Sequence, residues 1–367
     1  MLNKYLRFIV SILIAAVFLW LALRDVSFHD LRLTMGKLTY LWLLPYLFVT
    51  LLSHYLRAER WKQLIEQDGV RASRMTLFTG VMLGYMVNYA VPRLGEVSRS
   101  VFVGNKEQIS RTKLIGTVVL ERALDLLVML LLAIFVVVYL LADYREIIPL
   151  FGTDTARWIQ SLMSMNTVLI IAILALASIL ALYLIYRLML LLRKWFPSLQ
   201  KIFRFLADIS AKFIQGLISI KDVKNWPLFI LLTAAIWFCY VLMTYIPFTA
   251  FDLHTEYGLG MREALVITVI SALGIALPSP GGIGTYHWFV SRSMLLLFAV
   301  PEAAGVAYAI VTHLVMMIII LITAPTLLIA HRAGWLKKLQ FGQGTGPKYS
   351  ERARARSIRK GGGPKHL

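Results

Sequence analysis

Apolar residues gather in long runs along this chain, at 8–23, 38–56, 77–91, 114–141, 166–192, 226–251, 264–277, 285–299 and 303–330. A helix rises about 1.5 Å per residue and a bilayer's hydrocarbon core is about 30 Å thick, so runs of this kind read as membrane helices. Three of them, 77–91, 264–277 and 285–299, give only roughly 21–23 Å of helix. Each borders a Pro/Gly cluster: Pro92-Arg93-Leu94-Gly95 after the first, and Pro278-Ser279-Pro280-Gly281-Gly282-Ile283-Gly284 between the other two. Short, interrupted apolar segments are the mark of re-entrant or broken helices lining a site. The pattern predicts an all-α polytopic membrane protein with about six full spans and two Pro/Gly-interrupted re-entrant hairpins.

Charge orients this layout. With 77–91 entering from the cytoplasm and turning back at Pro92–Gly95, and 264–299 entering as a hairpin from outside, the cytoplasmic parts are 1–7, 57–76, 92–113, 193–225 and 331–367. They hold 29 Lys and Arg against 6 in the outer loops 24–37, 142–165 and 252–263. A single crossing at 77–91 would turn the strongly basic 193–225 loop outward, against the positive-inside rule. Both termini are therefore expected in the cytoplasm. Charge leaves the depth of the second hairpin open. Residues 1–141 then read span, span, hairpin from inside, span, and residues 166–330 read span, span, hairpin from outside, span. That is the plan of an inverted repeat, carried by layout alone, with the site expected between the halves.

Two stretches are not spans. Residues 198–220 set Leu199, Ile202, Phe203, Leu206, Phe213 and Leu217 against a polar stripe, the pattern of an interfacial amphipathic helix. The tail 331–367 is basic and, from Gly342, almost without apolar side chains, which predicts a disordered cytoplasmic segment that either touches anionic lipid or only solvates and orients the chain.

Composition agrees with the pattern. The 367 residues are 59% hydrophobic and 16% charged, against roughly 45–50% and about 25% in soluble domains. The net charge of +19 would suggest nucleic acid in a soluble protein; here it falls on loops facing anionic lipid, and no nucleic-acid motif accompanies it. The one cysteine, Cys239, sits in an apolar run as a packing residue, which excludes an intrachain disulfide or a Cys-based metal cluster. Lys4 and Arg7 precede the first apolar run without a cleavage site, so it reads as an uncleaved span. No cofactor or metal is expected.

Three clusters carry candidate chemistry. In the first, Asn88, Arg93, Glu96 and Arg99 flank the break at Pro92–Gly95; freed backbone groups and guanidiniums suit a phosphate, and the plainer account is charges capping a hairpin at the surface. In the second, Glu121 and Asp125, with Arg122 between them, share one helix face near the cytoplasmic end of a 28-residue run. They are either acids facing a cavity or anchors at the head-group level. In the third, Gly281, Gly282 and Gly284 precede His287 and Arg292. The glycines permit close backbone approach, and the helix starting near Thr285 would offer free N–H groups to an anion; the plainer account is a tight turn with glycines for packing.

Taken together the three clusters resemble the lysylphosphatidylglycerol synthase transmembrane region family, the flippase-like domain of multiple peptide resistance proteins, over about residues 5–330. Its Pro-x-x-Gly-Glu-x-x-Arg element is seen as Pro92, Gly95, Glu96 and Arg99, its Glu-Arg-x-x-Asp element as Glu121, Arg122 and Asp125, and its Pro-x-Pro-Gly-Gly-x-Gly element as Pro278, Pro280, Gly281, Gly282 and Gly284. Many relatives carry a Glu shortly after the last glycine, where this chain has Tyr286-His287. Relatives that aminoacylate lipid append a soluble transferase domain, whereas here about 37 residues follow the last span. The resemblance thus implies a flippase-like transmembrane domain over 1–330 in a bacterial inner membrane, without the synthase.

The expected function is translocation of a phospholipid or lipid-linked intermediate, with no enzymatic step. Arg93, Arg99 and Arg292 would contact lipid phosphate, and Glu96, Glu121 and Asp125 would balance them or recognise a cationic head group. Two other classes stay open: a membrane enzyme or accessory factor for glycosyl transfer from polyprenyl-phosphate sugars, with Glu121 and Asp125 holding a divalent ion, and a secondary transporter for a small solute. The expected partners are membrane lipids with anionic head groups or lipid phosphate, and no nucleic acid.

Overall fold

A computed structural model describes residues 2–36, 38–66, 71–142 and 223–335. The run 166–192, the amphipathic pattern 198–220 and the tail beyond 335 lie outside the described residues. Every element among the described residues is helical. In chain order they are α1 (Leu2–Leu23), α2 (Phe28–Gly36), α3 (Leu43–Ile65), α4 (Arg74–Ala90), α5 (Leu94–Glu107), α6 (Arg111–Ala142), α7 (Trp226–Ala250), α8 (Leu253–Glu256), α9 (Met261–Ala276), α10 (Thr285–Phe298) and α11 (Glu302–Arg332). Among them α7 and α11 are long and apolar enough to cross a membrane, and α1 with α2, bent by 83°, would make a third as one broken span. Among the described residues, those up to Ala133 and from Val223 on belong to one compact unit, and the end of α6 from Ile134 belongs to a second.

Three stretches expected to be loops are in part helical. Residues 24–37 contain α2, 252–263 contain α8, and 57–76 contain the last nine residues of α3, which runs on to Ile65. Hydropathy ends the apolar run at Leu56 because Arg57 follows. The helix continues because its polar side chains are taken up by neighbouring helices rather than by water.

The interrupted segments fold back on themselves. Ser73 caps α4, accepting a hydrogen bond from the Thr76 N–H at 3.4 Å. Pro92 drives Val91 out of the helical region, to φ −137° and ψ 111°, which ends the helix. Arg93 turns the chain with φ 66°, and α5 returns along α4. The two limbs approach closely because Gly80 and Gly84, four residues apart on α4, face Val103, Arg99 and Gly95. A Cβ at Gly95 would overlap the Gly84 carbonyl and the Asn88 amide. The α9–α10 pair is built likewise, with Gly274 against Thr285 and Phe289, around a tip of one 3-10 turn at Pro280–Gly282.

Helices α3 and α7 run antiparallel, Arg57 meeting Tyr240, Arg60 meeting Thr233 and Leu64 meeting Phe229. Helix α11 ties both hairpins together. Its Tyr308 and Ala309 pack with Ile267, Val290 and Met294 of the second hairpin, and its Ile320 and Ala324 pack with Leu77, Met82 and Val103 of the first. The two tips touch: the Tyr89 ring, near the end of α4, lies on Gly281, and His313 of α11 closes the contact, its Nε2 3.0 Å from the Gly281 carbonyl oxygen.

Candidate functional site

The interior of this unit holds a charged network where α3, α5 and α6 meet. Glu121 is fully buried and accepts from Arg57 and, at 2.9 Å, from Arg99. Asp125, one turn further along α6, accepts from Arg57 at 2.9 Å and Arg60 at 2.6 Å. Arg57 also donates to the Tyr240 hydroxyl at 2.7 Å. Arg99 lies over the Trp61 ring, 4.6 Å from its centroid, and the Trp61 indole N–H donates to Thr117 at 2.9 Å, joining α3 to α6. At the edge, Arg122 pairs with Glu96 at 3.1 Å with both side chains partly exposed. The acids at i and i+4 on α6 thus meet arginines at i and i+3 on α3, each set on one helix face.

Arg57 and Arg60 escape a reading of the sequence by hydropathy, since both count there as loop cations. The signal that finds them is the pair spacing itself, read against the acids of 121–125. Three of the 29 cations assigned by the sequence to cytoplasmic segments, Arg57, Arg60 and Arg99, are interior residues.

The structure brings Glu96, Arg99, Glu121, Arg122 and Asp125 together and sends the other candidates elsewhere. Asn88 is structural, its amide oxygen accepting from the Gly95 N–H at 2.7 Å to start the return limb. Arg93 is exposed at the first tip. Gly281, Gly282 and Gly284 all take positive φ, between 59° and 81°, as the turn requires. At the start of α10, where the sequence suggests an anion site, the backbone is engaged within the protein. The Gly284 N–H donates to the ring Nδ1 of His287 at 3.2 Å, and the α1 backbone at Ala15 and Leu19 lies directly on Gly284. His287 is buried beside His313, ring centroids 5.0 Å apart.

Arg292, expected on phosphate, pairs with Asp25 at 2.9 Å and Glu302 at 3.0 Å. The Asp25 carboxyl is held below its ordinary range, first by the hydrogen bond from Arg24 and then by Arg292. Such solvent-screened pairs contribute little to stability. Arg292→Gln is therefore expected to move the thermal midpoint of the purified protein by no more than a few degrees and to leave lipid binding intact. A binding loss matching that of the interior arginines would return Arg292 to the site.

Among the described residues no group of three or more His, Cys, Asp or Glu side chains is placed to hold a metal ion. Glu121 and Asp125, weighed as ligands of a divalent ion, have oxygens taken by guanidiniums. What the network offers instead is a set of buried charge-assisted donors on α3 and α5, an arrangement suited to an oxyanion.

The tip contact and the network are one helical turn apart. Tyr85 of α4 faces Arg57, 6.0 Å from guanidinium carbon to ring centroid, and packs against His54 with the rings tilted and their centroids 4.4 Å apart. Tyr89, four residues on, is the side chain against Gly281.

Residues 8–324 match the family model described as the lysylphosphatidylglycerol synthase TM region. The chain is also similar to a UPF0104 membrane protein of Methanocaldococcus jannaschii, 32% identical over 100 residues, which is 26% of this chain and 30% of that relative. No solved structure matches.

Proposed function

The chain belongs to the lysylphosphatidylglycerol synthase transmembrane region family, and from that premise we propose that it translocates a phosphate-bearing lipid across the bacterial inner membrane, both termini in the cytoplasm. The observation that carries the reading is the interior network of Arg57, Arg60 and Arg99 against Glu121 and Asp125, one turn from the contact between two hairpin tips. Charges in a membrane interior are costly and mark substrate paths. A lipid head group is a polar cargo that must pass the hydrocarbon core, and buried guanidiniums replace the water its phosphate leaves behind. The exposed edge at Arg122 and Glu96 is the entrance, and the acyl chains remain in lipid. Movement of the hairpins at the Tyr89–Gly281 contact would turn the network from one side to the other, as rocking repeats do around a central site.

The test is reconstitution into liposomes carrying a fluorescent phospholipid in one leaflet. Protein is expected to speed its appearance in the other leaflet, and Arg99→Gln to slow that movement at least about tenfold, equivalent to ~1.4 kcal/mol of barrier. No protein-dependent movement, with metal-dependent turnover of a polyprenyl-phosphate sugar or ion-driven uptake of a soluble solute in its place, would overturn the reading.

A further inference from the structure

Two histidines stand at the contact between the hairpin tips, apart from the charged network. Both are buried, with ring centroids 5.0 Å apart. Their hydrogen bonds fix where their protons sit. A backbone N–H can only donate, so Nδ1 of His287, which accepts from Gly284 at 3.2 Å, carries no proton and the ring is neutral. A carbonyl can only accept, so Nε2 of His313, 3.0 Å from the Gly281 oxygen, carries the proton of that bond. The two rings therefore answer a further proton differently. On His313 it enters at Nδ1 and leaves the bond to Gly281 in place. On His287 it also enters at Nδ1, where it meets the Gly284 N–H and breaks the bond that caps α10.

The titratable side chains around the pair are tyrosines. Tyr89 of α4 and Tyr286 of α10 lie against His313, and Tyr46 of α3 is joined to Tyr286 through Thr312. Tyrosines stay neutral near pH 7. From α1 come Ala15 and Leu19, and from α9 comes Ile275, all apolar. The charges of α9, Arg262 and Glu263, are at its other end. Among the described residues neither imidazole is paired with a carboxylate; each is bonded to the backbone of the second tip.

We propose that the tip contact is a proton-operated gate, opened when Nδ1 of His287 takes a proton, and that the proton is the coupling ion of the transport cycle. The inference rests on the translocation reading and adds its energy source. With His287 neutral, the Gly284 bond holds the turn that presents Gly281 to Tyr89 and His313. The bond needs the unprotonated ring, so the contact is intact at high pH and is lost as pH falls below the ordinary imidazole range, about 6.5. Each opening takes one proton from water on to Nδ1, and each closure returns it. His313 keeps its donor in either state and re-forms the contact when the turn closes.

The experiment puts spin labels on Ala90→Cys and Ala276→Cys, exposed positions beside the two tips, in the full chain with the native thiol removed as Cys239→Ser. Their separation is read in lipid nanodiscs between pH 8 and pH 5. A longer separation is expected to gain population roughly three- to tenfold as pH falls, the worth of one hydrogen bond lost. His287→Asn sets an amide oxygen in place of Nδ1 and is expected to hold the tips together throughout. His313→Gln keeps a donor for the Gly281 carbonyl and is expected to retain the response. Loss of the response in His313→Gln with its survival in His287→Asn would assign the proton to the other ring and overturn the inference. A separation that ignores pH without either histidine substitution overturns it whether or not those variants fold. In liposomes, an imposed proton gradient is expected to speed lipid movement by the wild type and not by His287→Asn. Movement indifferent to the gradient sinks the coupling and leaves translocation standing. Tips that respond to pH in a protein that moves no lipid leave the gate standing and sink translocation.

Discussion

Glu121→Gln is expected to destabilise the purified protein by about 3–5 kcal/mol, the cost of removing one partner from a buried ion pair. The substitution changes no shape and little volume, so the effect reads charge. Glu121 holds Arg57 and Arg99 by direct hydrogen bonds and lies 3.7 Å from Arg60. With a neutral amide in its place, three buried guanidiniums share the single charge of Asp125. The measurement is the apparent melting temperature in detergent together with an SDS unfolding titration. Glu96→Gln is the matched control: its pair with Arg122 is partly exposed and is expected to contribute about 0–1 kcal/mol. Restoring balance should restore stability. Arg99→Gln placed on Glu121→Gln is expected to recover about 0.5–3 kcal/mol of the loss, the coupling typical of residues in one network. A Glu121→Gln protein that melts with the wild type would mean that the network is open to water, and the proposed site would lose its physical basis.

The sequence and the structure part company at particular residues, for reasons of range. Breaks at Pro92 and at Pro278–Gly284 are local: proline excludes the helical region for its predecessor and glycine alone takes these positive φ values freely, so both helix breaks were legible. The pairing of Glu121 with Asp125 on one face was legible for the same reason. The partners of those acids were not. Arg57 and Arg60 lie more than sixty residues away, in a stretch whose hydropathy reads as loop, and only tertiary packing shows that α3 continues through them. The glycine cluster left two readings open. Three glycines before a helix are compatible with an anion cradle or with a crowded crossing, and the local pattern is the same in both. The crowding by α1, from the far end of the chain, lying on Gly284, is tertiary. The pairing of Arg292 was hidden by the same limit, since Asp25 is 267 residues away.

The packing at the second tip separates two kinds of crowding, and this carries the other large expected effect. Gly284→Ala is expected to destabilise by about 2–6 kcal/mol, combining a non-glycine residue at strained φ with an overpacked contact. Gly284 has φ 80°, and a Cβ there would overlap the Ala15 carbonyl and crowd the Leu19 nitrogen of α1. Those are backbone atoms of a helix and cannot swing aside; α1 must move as a body. Gly281→Ala at φ 59° meets instead the Tyr89 ring, a side chain with rotamers to spare. The two variants should therefore differ in how they are rescued. Tyr89→Ala is expected to be less costly in the Gly281→Ala background than in the wild type, by about 0.5–3 kcal/mol in a double-mutant cycle. Phe18→Ala, which trims an α1 side chain packed on Trp288 and Phe289 of α10, is expected to add to Gly284→Ala without relief. Thermal unfolding of the four single and two double variants in one detergent decides it. Relief of Gly284→Ala by Phe18→Ala would show that side chains, and not the α1 backbone, set the spacing at that crossing, and the close docking of α1 on the second hairpin would have to be given up.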